Sequence, residues 1–199
     1  MAKRTTSNTH RFEITPKKLR GPDWAISSAM LHESFDAIYA EVKVMRCYNV
    51  PYVAGYSMDG KVIYIDKDLP HTLQVRNREA GNQPKRMYID RYLIMHEAVE
   101  KGLMRAYGLR YQHAHQIALR VESELVRADG FVWQDYDRQL KPFIKVAEED
   151  MVDDLPPDLD LRPYEDTSDW DLVAAMHKAM LEARKRVDER SKHTGARRK

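Results

Sequence analysis

The 199-residue sequence predicts a mainly α-helical protein of the α+β class, with a small β-hairpin or edge sheet and an antiparallel helical hairpin. Three observations predict it. The stretches 87–107 and 111–128 both carry apolar residues at helical spacing. A link of three residues around Gly108 separates them, so the two helices must fold back on each other. Upstream, Asp59-Gly60 stands between two β-prone runs, which is the signature of a tight hairpin turn.

The elements follow in order. Residues 1–21 are polar and aperiodic and read as a basic arm. Pro22 and Asp23 open a first helix through Trp24, Ile26, Met30, Leu31, Phe35, Ile38, Tyr39, Val42, Met45 and Arg46, with Asn49 and Pro51 ending it. The hairpin occupies 51–66, and its second run, 61–66, is rich in β-branched and aromatic residues. Pro70, Gly81 and Pro84 make 67–86 a polar connection. In the helix over 87–107, Tyr88, Tyr92, Leu93, Met95, Val99, Leu103 and Met104 supply the apolar stripe, and Gly108 stops it. The next helix ends at Asp129-Gly130. A third covers 132–147, with Pro142 kinking or dividing it. The acidic, proline-containing stretch 150–168 reads as a linker. A last amphipathic helix over 169–190 uses Leu172, Val173, Met176, Met180, Leu181 and Val187. The expected organisation is therefore an arm at 1–21, a globular domain at 22–149, a linker at 150–168, and a C-terminal helix with a basic tail at 169–199.

Composition narrows the class. Hydrophobic residues make up 43% of the chain and charged residues 32%, so a core can form beneath a heavily charged surface. No window approaches the run of about 18 apolar residues that a membrane helix needs, so no membrane partner is expected. One cysteine, Cys47, leaves no internal disulfide framework and fits a reducing, cytoplasmic setting. Net charge is only +2, but both ends of the chain are basic, whereas 148–171 is acidic apart from Arg162. The basic termini could touch nucleic acid or pair with the acidic stretch. The glycines form neither of the common phosphate-binding patterns.

Chemistry concentrates at His96-Glu97-Ala98-Val99-Glu100. Residues four apart share one helical face, so His96 and Glu100 can reach one metal ion together. Glu97 is rotated by about 100° and stands beside that face rather than on it. Two ligands at i and i+4 with a neighbouring glutamate form the arrangement that activates a metal-bound water. A carboxylate is an ordinary zinc ligand, although it also suits manganese or iron. One divalent metal, zinc first, is therefore the expected cofactor. The third ligand must come from the following helix, which offers His115 and Glu122 on one face. Counting back from the turn places Glu122 opposite Glu97 and His115 opposite Met104. Glu122 is thus favoured by position and His115 by ligand chemistry, and the one that does not bind can orient a ligand. His113 points off that face. Tyr107 or Tyr111, near the turn, can donate to an oxyanion or simply pack.

The order of these parts resembles a zincin-type metallopeptidase domain. The run from His96 to Met104, then Gly108 to Tyr111 and Ala114-His115 through Glu122, is also similar to small uncharacterised metalloproteins of phages and prophages. The resemblance covers about residues 50–128. It implies that 61–66 is an edge strand aligning an extended substrate, that His96 and Glu100 are ligands, and that Glu97 is the general base. Glu100 stands where most zincins have histidine, and Leu103 where metzincins have glycine.

Three functions follow as expectations. The first is a metal-dependent hydrolase acting on a peptide or protein. The second is a non-catalytic interaction or virion-type structural protein, with a metal tying two helices or none at all. The third is a non-haem iron enzyme built on two histidines and a carboxylate.

Overall fold

The computed structural model describes residues 28–149, 154–166 and 170–196. The expected arm, Trp24, Ile26 and the tail beyond 196 lie outside them. The architecture is mixed α+β, mostly helical, with one three-stranded and one two-stranded sheet.

Helix α1 (Ser28–Glu41) ends earlier than its apolar spacing predicts, because Val44, Met45 and Arg46 belong to strand β1 (Lys43–Tyr48). Apolar spacing alone cannot separate a helix from a half-buried strand. Here pairing decides, since β1 lies parallel to β3 (Val62–Asp66) through Lys43–Val62, Val44–Ile63 and Met45–Tyr64. Strand β2 (Ala54–Tyr56) runs antiparallel to β3, and the Asp59-Gly60 turn joins them. Gly60 takes φ +74°, a conformation that glycine adopts without cost, and its N–H donates to the Ser57 carbonyl. The order is β1-β3-β2, so the stretch 61–66 expected at an edge is the central strand.

The stretch expected as a polar connection holds a second hairpin, β4 (Thr72–Asn77) and β5 (Gln83–Tyr88). Leu73, Val75 and Asn77 are buried while Gln74 and Arg76 are exposed, the alternation of a half-buried strand. Pro84 is tolerated because β5 is an edge strand of its sheet. Met87 and Tyr88 are therefore strand residues, and helix α2 (Asp90–Tyr107) begins two residues later. Helices α3 (Tyr111–Ala128) and α4 (Trp133–Glu149) follow, the latter running through Pro142.

Both faces of β3 are buried. Ile63 and Ile65 join a core with Phe35, Val75, Tyr92, Met95, Leu125, Tyr136 and Leu140. Tyr64, pointing the other way, joins Leu155, Leu159, Leu161, Tyr164, Val173, Met176 and Met180. Within the stretch expected as an acidic linker, residues 154–166 are thus built into this second core, with a short helix α5 (Arg162–Asp166). Leucines spaced among the aspartates supply enough apolar area to fix a chain whose composition reads as solvated. Helix α6 (Trp170–Ala196) extends beyond its expected end. Its buried stripe is Val173, Met176, Met180 and Ala183, whereas Leu181 and Val187 are exposed. No helix of the described residues is long and apolar enough to cross a membrane.

Candidate metal centre

Helices α2 and α3 position the cluster. Gly108 closes α2 in the left-handed conformation, φ +63°, and its N–H donates to the Met104 carbonyl. Arg110 is extended, and α3 starts immediately after it. Ala114 and Ala118 are fully buried one turn apart, and such small residues let α3 approach its neighbour closely. The hairpin is antiparallel: Glu100 meets His115, while His96, one turn earlier, meets both His115 and Glu122.

Three candidate ligand atoms converge. His96 Nε2 lies 3.1 Å from His115 Nδ1 and 3.5 Å from Glu100 Oε2, and the last two are 3.0 Å apart. Tetrahedral bonds of about 2.0–2.2 Å require ligand atoms about 3.3–3.6 Å apart. The triangle therefore needs only a few tenths of an ångström of expansion to take zinc. Its donor set of two imidazoles and one carboxylate fits that metal, and also iron or manganese. Among the described residues these three form the group able to hold a metal ion.

Glu122 is not part of the triangle. Its Oε2 accepts from His96 Nδ1 at 2.9 Å, and its Oε1 accepts from the Tyr136 hydroxyl at 2.7 Å. That contact fixes the imidazole with Nε2 toward the other two groups. Tyr56, on β2, donates to the second oxygen of Glu100 at 3.3 Å. The Tyr111 hydroxyl lies 3.4 Å from His115 Nδ1, and the two rings sit tilted by 31° with centroids 5.2 Å apart. His113 and Tyr107 are exposed and away from the cluster.

Four carboxylates and two histidines line one cavity, and the proton affinities of His96, Glu97 and Glu100 respond. Burial disfavours a charged His96, but hydrogen bonds to Glu100 and Glu122 outweigh it and push the imidazole up to about 10. Burial, then the neighbouring Glu100 charge, pushes Glu97 up to about 8. Burial would raise Glu100 as well, yet hydrogen bonds from His115 and His96 hold it below the usual carboxylate range.

Glu97 lines a cavity of about 450 Å³ together with His96, Glu100, His115, Glu122, Tyr111, the strand Ala54–Tyr56, and Asp160, Pro163 and Tyr164. Its far wall comes from the 154–166 segment. Lys101, almost fully buried, holds that wall by an ion pair with Asp160 at 2.5 Å, and its ammonium sits 4.4 Å over the Tyr56 ring. Sequence reasoning did not find Tyr56, Tyr136, Lys101 or Asp160. Each acts through a partner at least fourteen positions away, and no local spacing marks such a pair. No protein-family model, curated protein or solved structure matches the chain.

Proposed function

We propose that this chain is a metal-dependent hydrolase of peptides, in which His96, Glu100 and His115 hold one divalent metal, zinc by preference. One observation carries the reading. Ligand atoms from two helices converge within 3.5 Å of one another beside a cavity that Glu97 also lines. When bound there, the metal would supply Lewis acidity that brings a coordinated water toward an acidity of about pH 7.

The chain's own residues do the rest. Glu97 accepts a proton from water as the oxygen adds to the substrate carbonyl carbon. It then delivers that proton to the amide nitrogen as the C–N bond breaks, so one water is consumed and an acid and an amine leave. Tyr111 contributes a hydroxyl that can donate to the carbonyl oxygen while negative charge builds there. Glu122, backed by Tyr136, holds His96 in one orientation, and Tyr56 leaves Glu100 one oxygen for the metal. The strand that lines the cavity is β2, and a substrate main chain would pair with its outer edge at Ala54, beyond the positions that the 158–160 segment occupies.

A second reading rests on the same donors, because two histidines with one carboxylate are also the ligand set of non-haem iron enzymes. Metal content separates the two. The full chain is purified without a histidine tag or chelator and analysed by elemental mass spectrometry beside His96→Ala and Glu97→Gln. Near-stoichiometric zinc in the parent and in Glu97→Gln, with none in His96→Ala, is the expected result. Iron in place of zinc moves the reading to the second enzyme class. A folded parent without metal, even after zinc is added and unbound ion removed, overturns both.

A further inference from the structure

One end of the cavity is closed by the chain itself. Strand β2 turns its Gly55 and Ser57 main-chain groups toward β3, opposite Tyr64 and Val62. The alternate residues Ala54, Tyr56 and Met58 therefore present theirs to the outer edge. Two of these three positions are occupied. The Tyr56 carbonyl accepts from the Asp160 N–H at 2.9 Å, and the Met58 N–H donates to the Asp158 carbonyl at 2.8 Å. Ser57 and Leu159 form an antiparallel bridge between them. The segment then turns into α5 at Arg162, so this pairing stops one position short of Ala54.

The segment is firmly held. Leu159 and Leu161 are buried, Asp160 is ion-paired with Lys101 and Arg162, and the Tyr164 hydroxyl donates to the Pro51 carbonyl. Ala54 lines the cavity with Glu97, His96 and Asp160. A peptide that continues the same antiparallel pairing at Ala54 has its N-terminal side toward Tyr56. There the backbone of Asp160 already stands, and a longer N-terminal extension has no path along the strand.

Charge at the cavity agrees with that geometry. The lining holds four carboxylates, of which Glu100 meets His96 and His115, Glu122 holds His96 and Asp160 is paired with Lys101 and Arg162, so Glu97 is the one left to face a substrate cation. An α-ammonium complements such a site, whereas a carboxylate or phosphate does not. A volume of about 450 Å³ is that of a small-molecule pocket, enough for a few residues rather than a long extended segment. Leu93, Leu119 and Ile144 make part of the wall apolar.

Resting on the hydrolase reading above, we infer that the site admits the free amino end of a short peptide with an apolar first side chain and releases that first residue. Water adds across the first amide. The carbonyl carbon gains the hydroxyl oxygen, the C–N bond breaks, and the nitrogen leaves with the proton as the new amino end of the shortened peptide.

Trileucine amide and its N-acetyl form differ only at the amino end. The zinc-reconstituted full chain is incubated with each, and products are followed by mass spectrometry. Binding of both peptides to the zinc-loaded Glu97→Gln protein is measured by isothermal titration calorimetry. Leucine release from the free peptide, with tenfold or greater loss of turnover and binding on acetylation, is expected, on the order of one charge-assisted hydrogen bond. Equal treatment of the two peptides, or preference for the acetylated one, overturns the closed-end inference and leaves the hydrolase standing. Selective binding of the free peptide without cleavage by the parent protein overturns the hydrolase and keeps the recognition. Neither binding nor cleavage of either peptide overturns both.

Discussion

His96 Nδ1 lies 2.9 Å from Glu122 Oε2, and this contact between two helices decides which imidazole nitrogen faces Glu100 and His115. A carboxylate can only accept, so Nδ1 keeps its proton, and Nε2 is the nitrogen at which a metal would displace the second proton that the raised affinity holds there. Glu122→Ala should therefore weaken zinc binding by about 10–100-fold although no ligand is removed. Tyr136→Phe, which deletes only the hydroxyl behind Glu122, should act in the same direction and less strongly. Competition titration of zinc against a chromophoric chelator measures both, and unchanged affinity in Glu122→Ala would remove Glu122 from the site.

Glu97→Gln separates chemistry from metal binding. The substitution keeps the shape and removes the base, so turnover should fall by about 10²–10⁴-fold while zinc content stays at the parent level. Loss of zinc in this variant would instead make Glu97 a ligand and displace Glu100 from that role.

Lys101 and Asp160 form a buried ion pair, their side chains 8% and 5% exposed. Replacing Asp160 with alanine leaves the ammonium without its carboxylate and should cost about 3–5 kcal/mol in urea unfolding. The loss should be greater than for Lys61→Ala, whose partner Asp59 is more than half exposed. A near-zero effect at Asp160 would mean that the far wall is not anchored through this pair.

The same pair gives a pH dependence. Burial would raise the Asp160 carboxyl, but hydrogen bonds from Arg162 and Lys101 outweigh it and hold it below the usual value. A depressed carboxyl contributes stability that is fully present above its unfolded value of about 3.9 and lost as pH falls through the folded value. The Tm difference between the parent and Asp160→Asn should thus be constant at neutral pH and shrink as pH drops below about 4. A gap that widens there would reverse the assignment.

Leu155 and Leu159 are almost completely buried although they sit in the most acidic part of the chain. Leu159→Ala should destabilise the protein by about 2–5 kcal/mol, as in any well-packed core. A free linker would tolerate the change without a shift in urea midpoint.

Local signals were legible and held where the physics is local. Gly60 and Gly108 both take positive φ, as a hairpin turn and a helix end require, and the sequence marks both positions. The two site helices are bounded by a glycine and a three-residue link, so their antiparallel packing follows from chain connectivity. Met45 and Arg46 misled because their spacing suits either a helix or a strand, and β3 supplied the hydrogen-bond partners that made the choice. Pro70, Gly81 and Pro84 read as breakers across 67–86, although Leu73, Val75 and Asn77 alternate with exposed residues there. Gly81 takes φ +64° in the hairpin's connection and Pro84 lies on an edge strand, so both fit a hairpin.

Within the candidate site, the i, i+4 pair His96 and Glu100 was readable because helix geometry alone puts both on one face. The division of labour between His115 and Glu122 was not. Counting residues back from the turn favours Glu122, yet one buried imidazole has two nitrogens, and each meets a different side chain of α3. The sequence by itself determined the elements whose hydrogen bonds close within a few residues, and the donor types that one helix face carries. Only the tertiary structure decided that β2 rather than 61–66 borders the cavity, that 154–166 is a wall rather than a linker, and that Glu122 orients His96 while His115 joins the triangle. Those outcomes depend on side chains brought together from 15 to 59 positions apart, where packing and burial of both partners, not spacing along the chain, set the free energy.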